Sequence, residues 1–464
     1  MKLYFRIIYI LVFLTFLNDC GDRKQILVRI NFHSVPIDNF YKIIPRDEFV
    51  LFTPEEIRKK ITEFANDELM LFDSHKLKIH KDKDIISKIN SYSMNLLIED
   101  YLKKTVIDSV IPENYLLRSY ATLSPEFRSA HPYSKQRNRL FEAAVNSNRD
   151  VIQSAIYNLF ERTVNELEIV VDDSAIADLS RFYNDNFQRL WTANNGDVYP
   201  PQVLKSFSDD NIIVKTKSRS YNLSWLQKEV ELRRIDLPFG TIGIEMFSNI
   251  FRTLIVEEHL YKTSLSKKYD RSPAIVRDIG DYKKRLCLSQ YKSKKIYGLI
   301  VSNDDSLNDF YMRNRQTRYL APSKAEVCEI FIKDSVVAIN ILKQALRGKD
   351  FFYLAGKYTE RFRNQKRPGY LGFITATQYG GIGKTAQNLR AGGVAGSLIP
   401  SGGGYSIVKS ISFIPSEPKG FESVKPSVVQ DFFDERYKVI SDSLVTKLKE
   451  KYRFKIYFDN VLIN

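Results

Sequence analysis

Apolar positions recur at helical spacing through the first two thirds of the chain. Ile89-x-x-Tyr92-x-x-x-Leu96-x-x-x-x-Tyr101 is one such run, and Ile152, Ile156, Leu159, Phe160 and Val164 form another. Beyond Pro322 the period changes. Ala325 to Ile332 (AEVCEIFI) is β-rich, Val336 to Arg347 is an amphipathic helix closed by Gly348, and Asp350 caps a second helix over Phe351 to Tyr358. Gly369 to Phe373 predicts a turn into a strand, and a short helix through Ala386 to Leu389 follows. Val394–Ile399 and Tyr405–Phe413 predict a hairpin across Pro400 to Gly404. Asp431 to Tyr452 reads as a helix and Phe454 to Phe458 as a strand.

The helical part repeats itself. Ile89, Tyr92, Leu96 and Tyr101 recur as Ile279, Tyr282, Leu286 and Tyr291, a displacement of 190 at all four positions, and Glu68 and Met70 meet Glu258 and Leu260 at the same displacement. Each copy opens with a strand-like run entering a capped helix: Thr53-Pro54-Glu55-Glu56 is a capping box with Pro at N1, and Ser224-Trp225-Leu226-Gln227 offers the same box in other letters. The expected fold class is α+β, with a helical repeat region and one small α/β domain. The ranges are a signal peptide at 1–20, the first repeat with following helices at 21–191, a linker at 192–204, the second repeat at 205–321, the α/β domain at 322–415, and a C-terminal helix and strand at 416–464 that pack back on the helical region.

Composition narrows the function classes. With 464 residues and 44% hydrophobic content the chain folds into several domains with ample core. The net charge of +15 is spread along the sequence without a basic, aromatic-interleaved motif, which excludes a nucleic-acid reading in favour of a solvated basic surface. Lys2 and Arg6 precede the apolar run Ile7–Leu17, too short for a span of about 20 residues but suited to a signal-peptide core. Leu17-Asn18-Asp19-Cys20 resembles a lipoprotein cleavage box, in which Asp19 departs from the usual small residue. Cys20 is therefore a candidate lipidation site, with plain cleavage or an uncleaved anchor as alternatives. Cys287 and Cys328 show no metal spacing; either they pair after export or each is a buried small residue.

The block 322–415 resembles the parvulin-type (PpiC) peptidyl-prolyl isomerases. The family's strand, Gly-x-Asp-Phe, Leu-Ala-x-x-Tyr-Ser, Gly-x-Leu-Gly, Leu-x-x-Gly-x-Val and closing strand meet Glu329–Ile332, Gly348–Phe351, Leu354–Thr359, Gly369–Gly372, Leu389–Val394 and Gly404–Val408 in order. The helical part is similar, more loosely, to periplasmic parvulins of the SurA and PpiD kind. The resemblance implies an exported isomerase or chaperone with unfolded or proline-containing polypeptide clients, no cofactor, no metal and no nucleotide. It implies an apolar cup from Leu371, Tyr379 and Ile382, with Phe373 beside it. Where the family carries two histidines this chain has Glu329 and Ser406, a carboxylate and a hydroxyl. That departure leaves two readings open: a working isomerase, or a weak or inactive module that binds peptide as a holdase.

Other motifs have plainer readings. Arg361–Arg367 is a basic loop before the Gly369 turn. Gly380-Gly381-Ile382-Gly383-Lys384-Thr385 imitates the end of a P-loop but has Gln378 where that motif needs Gly, and only 79 residues follow Thr385. His33, His75, His80, His131 and His259 lack metal-ligand spacing. His131 follows the first helical copy where the second copy has its strand, and the sequence leaves open whether a degenerate first isomerase module lies near residues 125–165.

Overall fold

The computed structural model describes residues 25–462 apart from 195–199, 206–210, 234, 236, 239 and 362–365. The expected signal segment with Cys20, part of the linker and part of the 361–367 loop lie outside the described residues. The chain divides into two compact units, one holding residues up to Lys295 together with those from Leu444 onward, the other Ile296–Ser443.

The first unit opens with a hairpin of β1 (Ile26–Ile30) and β2 (His33–Pro36), and the late strand Phe454–Ile456 pairs antiparallel with the other edge of β1. Helix α1 (Pro54–Lys76) starts at the Thr53 capping box: the Glu56 N–H donates to Thr53 Oγ1 and the Thr53 N–H to Glu56 Oε2. Lys78, at φ 59°, turns the chain through a 3₁₀ segment into α2 (Lys83–Leu102). A second hairpin, β4 (Ile212–Lys215) with β5 (Ser220–Asn222), carries β3 (Val170–Val171) on its edge. After the helix Leu223–Arg233 come α3 (Ile244–Ser266), Lys268 at φ 60°, and α4 (Pro273–Lys295).

The repeat is therefore a hairpin, a helix, a long helix, a left-handed turn and a second long helix. The 190-residue displacement holds from Pro54 to Ile244, Lys78 to Lys268 and Lys83 to Pro273. The copies pack reciprocally, α1 on α4 and α2 on α3. Such an exchange places one residue of each copy against its own counterpart. Tyr92 and Tyr282 are that residue, with rings 4.0 Å apart and 17° from parallel.

One expectation is corrected. Ser224–Gln227 lies in the helix Leu223–Arg233, which Asn222 caps by accepting from the Trp225 N–H. The counterpart of Thr53 is Gly243, which has no side-chain cap; the start of α3 is held by burial of Phe247 and Phe251. Around His131 the described residues form no strand of a first module: the segment runs through the helices Pro125–Ala130, Tyr133–Ser147 and Arg149–Leu167. His131 ends the first of these, its ring stacked on Phe127.

In the second unit α5 (Asp304–Asn314) leads to β6 (Leu320–Ala321) and β7 (Lys324–Ile332). Then come α6 (Ser335–Leu346), capped by Asp334, and α7 (Phe351–Tyr358), capped by Asp350. Next are β8 (Tyr370–Ile374), α8 (Gly381–Gln387), β9 (Ile399–Ser401), β10 (Gly404–Ile414) and β11 (Glu417–Pro418), which pairs with β6. The main sheet is antiparallel throughout in the order β8-β7-β10-β9. The β9–β10 turn has Gly402 and Gly403 at φ 47° and 83°, the two left-handed positions of a tight hairpin. Val394, expected in that strand, makes only an isolated bridge to Lys409. The helix α9 (Phe421–Lys451) starts ten residues earlier than its expected beginning at Asp431, and within this unit buries Val424, Val428 and Phe432 against Leu307, Phe310 and Tyr311 of α5.

Candidate active site

Alternation along β7 decides what faces where. Cys328, Ile330 and Ile332 point to one side and pack on α6 and α7, while Ala325 and Val327 point to the other and pack with Val408, Ile382, Ala386 and Ile399. Glu329 lies opposite Val408, and Phe331 opposite Ser406, so all four share the second face. A carboxylate thus enters an apolar layer: Glu329 is 1% exposed and Ser406 is fully buried.

Two groups answer the carboxylate. Ser406 Oγ donates to Glu329 Oε1 at 2.5 Å, and Arg361 Nη1 approaches the same oxygen at 3.4 Å. Arg361 also reaches Ser401 Oγ at 3.3 Å, and its guanidinium lies 3.9 Å over the ring of Phe331. Thr359 fixes its backbone, accepting from the Phe331 N–H and donating to the Arg361 carbonyl. Glu329 Oε2 is buried and meets no donor among the described residues. Nothing in the sequence pointed to Arg361 individually, because the 32 residues separating it from Glu329 carry no periodic link. The available signal was energetic: a carboxylate at a core position needs a cation.

Gly369 supplies the close approach beside this pair. Its carbonyl accepts from the Glu329 N–H at 2.7 Å, its φ is 72°, and a Cβ there would lie 2.0 Å from the Glu329 carbonyl oxygen. On the opposite face Tyr370 and Ser412 both donate to Glu326 at 2.7 Å, and these bonds hold the Glu326 carboxyl below its ordinary range.

The apolar residues divide. Ile382, 1% exposed in α8, and Leu371 of β8 join one cluster with Ile399 and Val408. Tyr379 precedes α8 at φ 54° and is half exposed. Phe373 is opposite Glu326 in the β7–β8 register, which puts it on the other face of the sheet from Val327 and the cluster. The structure thus brings together Glu329, Ser406, Leu371 and Ile382, and adds Arg361. The P-loop-like segment Gly380–Thr385 forms the start of α8. Cys287 and Cys328 are free, buried thiols; burial pushes Cys287 up and Cys328 up to about 11. The paired alternative for these cysteines is corrected: each is a buried small residue.

Solved structures similar to the chain include one of the SurA-like chaperones PEB4 and Cj1289 of Campylobacter jejuni, at 16% identity and TM-score 0.34, covering 52% of this chain and 98% of that one. Peptidylprolyl isomerase PrsA of Bacillus anthracis matches at 20% identity and TM-score 0.20, over 41% of this chain and 80% of its own. PrsA of Bacillus subtilis matches at 17% identity and TM-score 0.18, over 53% and 93%. No curated protein matches the chain. The family of PPIC-type PPIASE domains matches residues 302–426, the span that runs from α5 through the antiparallel sheet into α9. This chain accordingly carries a PpiC-type peptidyl-prolyl isomerase domain in its C-terminal part.

Proposed function

We propose that the protein is an exported foldase, attached through Cys20 or free at the periplasmic membrane face, whose PpiC-type domain turns prolyl bonds in unfolded clients. The observation that carries the reading is the family match over 302–426 together with the apolar pair Leu371 and Ile382 on the sheet face of Glu329 and Ser406. Rotation of a prolyl amide costs about 18–20 kcal/mol because resonance is lost, so a site needs only to bind the twisted bond more tightly than the planar one. In this reading Leu371, Tyr379 and Ile382 receive the ring, while the buried Glu329–Ser406 pair holds β7 and β10 in register beneath it. Glu329 and Ser406 take the place of the family's two histidines, with Arg361 beside them.

The test is exchange NMR on a proline peptide with the full-length protein. The wild type accelerates cis/trans exchange, and Leu371→Ala or Ile382→Ala reduces the acceleration about tenfold, the equivalent of ~1.4 kcal/mol of lost transition-state binding. Glu329→His with Ser406→His raises it. A wild type that leaves the exchange rate unchanged overturns the isomerase reading.

One observation favours the holdase alternative. A groove of about 760 Å³ on the first unit is lined by Ile235, Leu237, Pro238, Met246, Ile250 and Leu254, with Glu245 and Glu257 at its margin. At the 190-residue displacement the first copy has Glu56, Lys60 and Phe64 where the second has Met246, Ile250 and Leu254. Client binding there predicts suppressed aggregation of an unfolded protein without faster exchange, lost in Met246→Glu with Ile250→Glu. Unchanged suppression in that variant removes the groove from the reading.

A further inference from the structure

The groove beside α3 carries a charge pattern that selects among clients. Met246, Ile250 and Leu254 recur at every fourth position of α3, so they form one continuous stripe along the helix, and all three line the groove with Leu237. Glu245 and Glu257 stand at the two ends of that stripe, and among the described residues no lysine or arginine lines the groove. In a chain of net charge +15 this is an acidic site set against the general field.

The carboxylates here are short of cations. Buried Arg233 donates through Nε to Glu229 and through Nη1 to Glu257, at 2.7 Å each, so one guanidinium serves two carboxylates, and Glu245 adds a third negative charge to the groove. Burial pushes the Glu257 carboxyl up in spite of Arg233. The first copy satisfies the same positions from within the chain. There Asp67, the counterpart of Glu257, pairs with Lys292 at 2.6 Å, whereas the counterpart of Lys292 is Leu102. Phe64, the counterpart of Leu254, packs its ring 5.5 Å from that of Phe40. In the second copy the stripe stays open, with Met246 45% exposed. We infer that this groove takes an extended client segment whose short apolar run carries Lys or Arg at both ends. The inference rests on the client-binding reading of the groove. Twelve residues of α3 separate the two glutamates, about 18 Å along the helix, which an extended chain spans in about five to six residues.

The experiment measures fluorescence anisotropy of two labelled peptides with the full-length protein at low ionic strength: Ser-Lys-Leu-Val-Phe-Leu-Lys-Ser, and the same peptide with Glu for both lysines. The basic peptide is expected to bind about tenfold more tightly. The protein's overall charge favours the acidic peptide everywhere else, so this preference singles out the groove. It disappears in Glu245→Lys with Glu257→Gln, and Glu245→Lys alone, at an exposed position, already reduces it without touching the Glu257–Arg233 pair. Equal affinities, or tighter binding of the acidic peptide, overturn the charge selection. Met246→Ser with Ile250→Ser removes the apolar floor without changing charge and is expected to weaken both peptides. Binding that this variant leaves unchanged overturns the groove reading itself. A wild-type dimer in sedimentation velocity that the same variant dissociates overturns the client assignment and gives the groove to a second copy of the chain.

Discussion

Glu329 is a carboxylate buried inside a sheet domain, and its tolerance there depends on Ser406 and on the cation Arg361. Removing one partner of a buried pair leaves the other charge uncompensated, at about 3–5 kcal/mol for a fully buried pair. Arg361 retains some solvent contact, so Arg361→Ala is expected to destabilise the second unit by about 2–3 kcal/mol, read as a lower denaturant midpoint for that unit's transition. Arg361→Lys recovers the charge but not the stacking on Phe331. His75 offers a pH test. Burial, followed by His80, Lys283, His33 and Lys284, lowers its pKa to about 4. The folded state therefore binds fewer protons than the unfolded chain between pH 6.5 and 4, and the contribution, complete above 6.5, is lost as pH falls through that window. Because His75 also keeps part of its surface in water, solvent screening limits the loss to on the order of 1 kcal/mol. His75→Gln flattens the stability profile between pH 7 and 4.5; an unchanged slope refutes this role. In the sequence Glu329 and Ser406 could be placed by motif order, whereas Arg361 was one basic residue in a loop of several, and only the fold of β7, β9 and the segment after α7 selects it.

At the scale of elements, the turn before β8 has no slack. Gly369→Ala would force a Cβ against the backbone of β7 at a left-handed φ, so the second unit is expected to lose its fold. The measurement is limited proteolysis across residues 296–443, with native-like resistance counting against the argument. The repeated helices carry a second test. Tyr92 and Tyr282 stack at the approximate two-fold, so Tyr92→Ala and Tyr282→Ala should couple by about 0.5–1.5 kcal/mol in a double-mutant cycle. Purely additive effects would mean that the stack contributes nothing beyond burial. Helical period and displacement made the repeat legible without coordinates. Its second start was misplaced at Ser224 because a capping box can be spelled by many sequences, and only packing reveals that Gly243 needs none.

For the molecule as a whole, the return of the chain to its first unit is fixed at Asp73. This buried carboxylate on α1 accepts from Tyr291 of α4 at 2.8 Å and from Lys451 and Tyr452 at 2.8 and 2.5 Å. Burial pulls its pKa up, but the bonds from Lys451, Tyr452 and Tyr291 outweigh it and leave it below the ordinary value. Its contribution is therefore present above that value and is lost as pH falls through the lowered one. Asp73→Ala is expected to destabilise the first unit by about 3 kcal/mol and to speed hydrogen exchange in Phe454–Ile456, the strand that completes the β1 sheet. Unaltered exchange in that strand would show that sheet pairing alone holds the terminus.

Local signals travel in the sequence itself. Periodicity, caps, turn glycines and the ordered motifs of 322–415 determined the element types, the two helical copies and the isomerase family of the C-terminal domain, because each depends on residues near one another in the chain. The partners of Glu329, the face on which Phe373 falls, the reciprocal packing of the copies and the closure of the first sheet by Phe454–Ile456 were decided only in three dimensions. Those outcomes depend on strand register and on contacts across tens to hundreds of residues. No local pattern encodes which distant side chain will satisfy a buried charge.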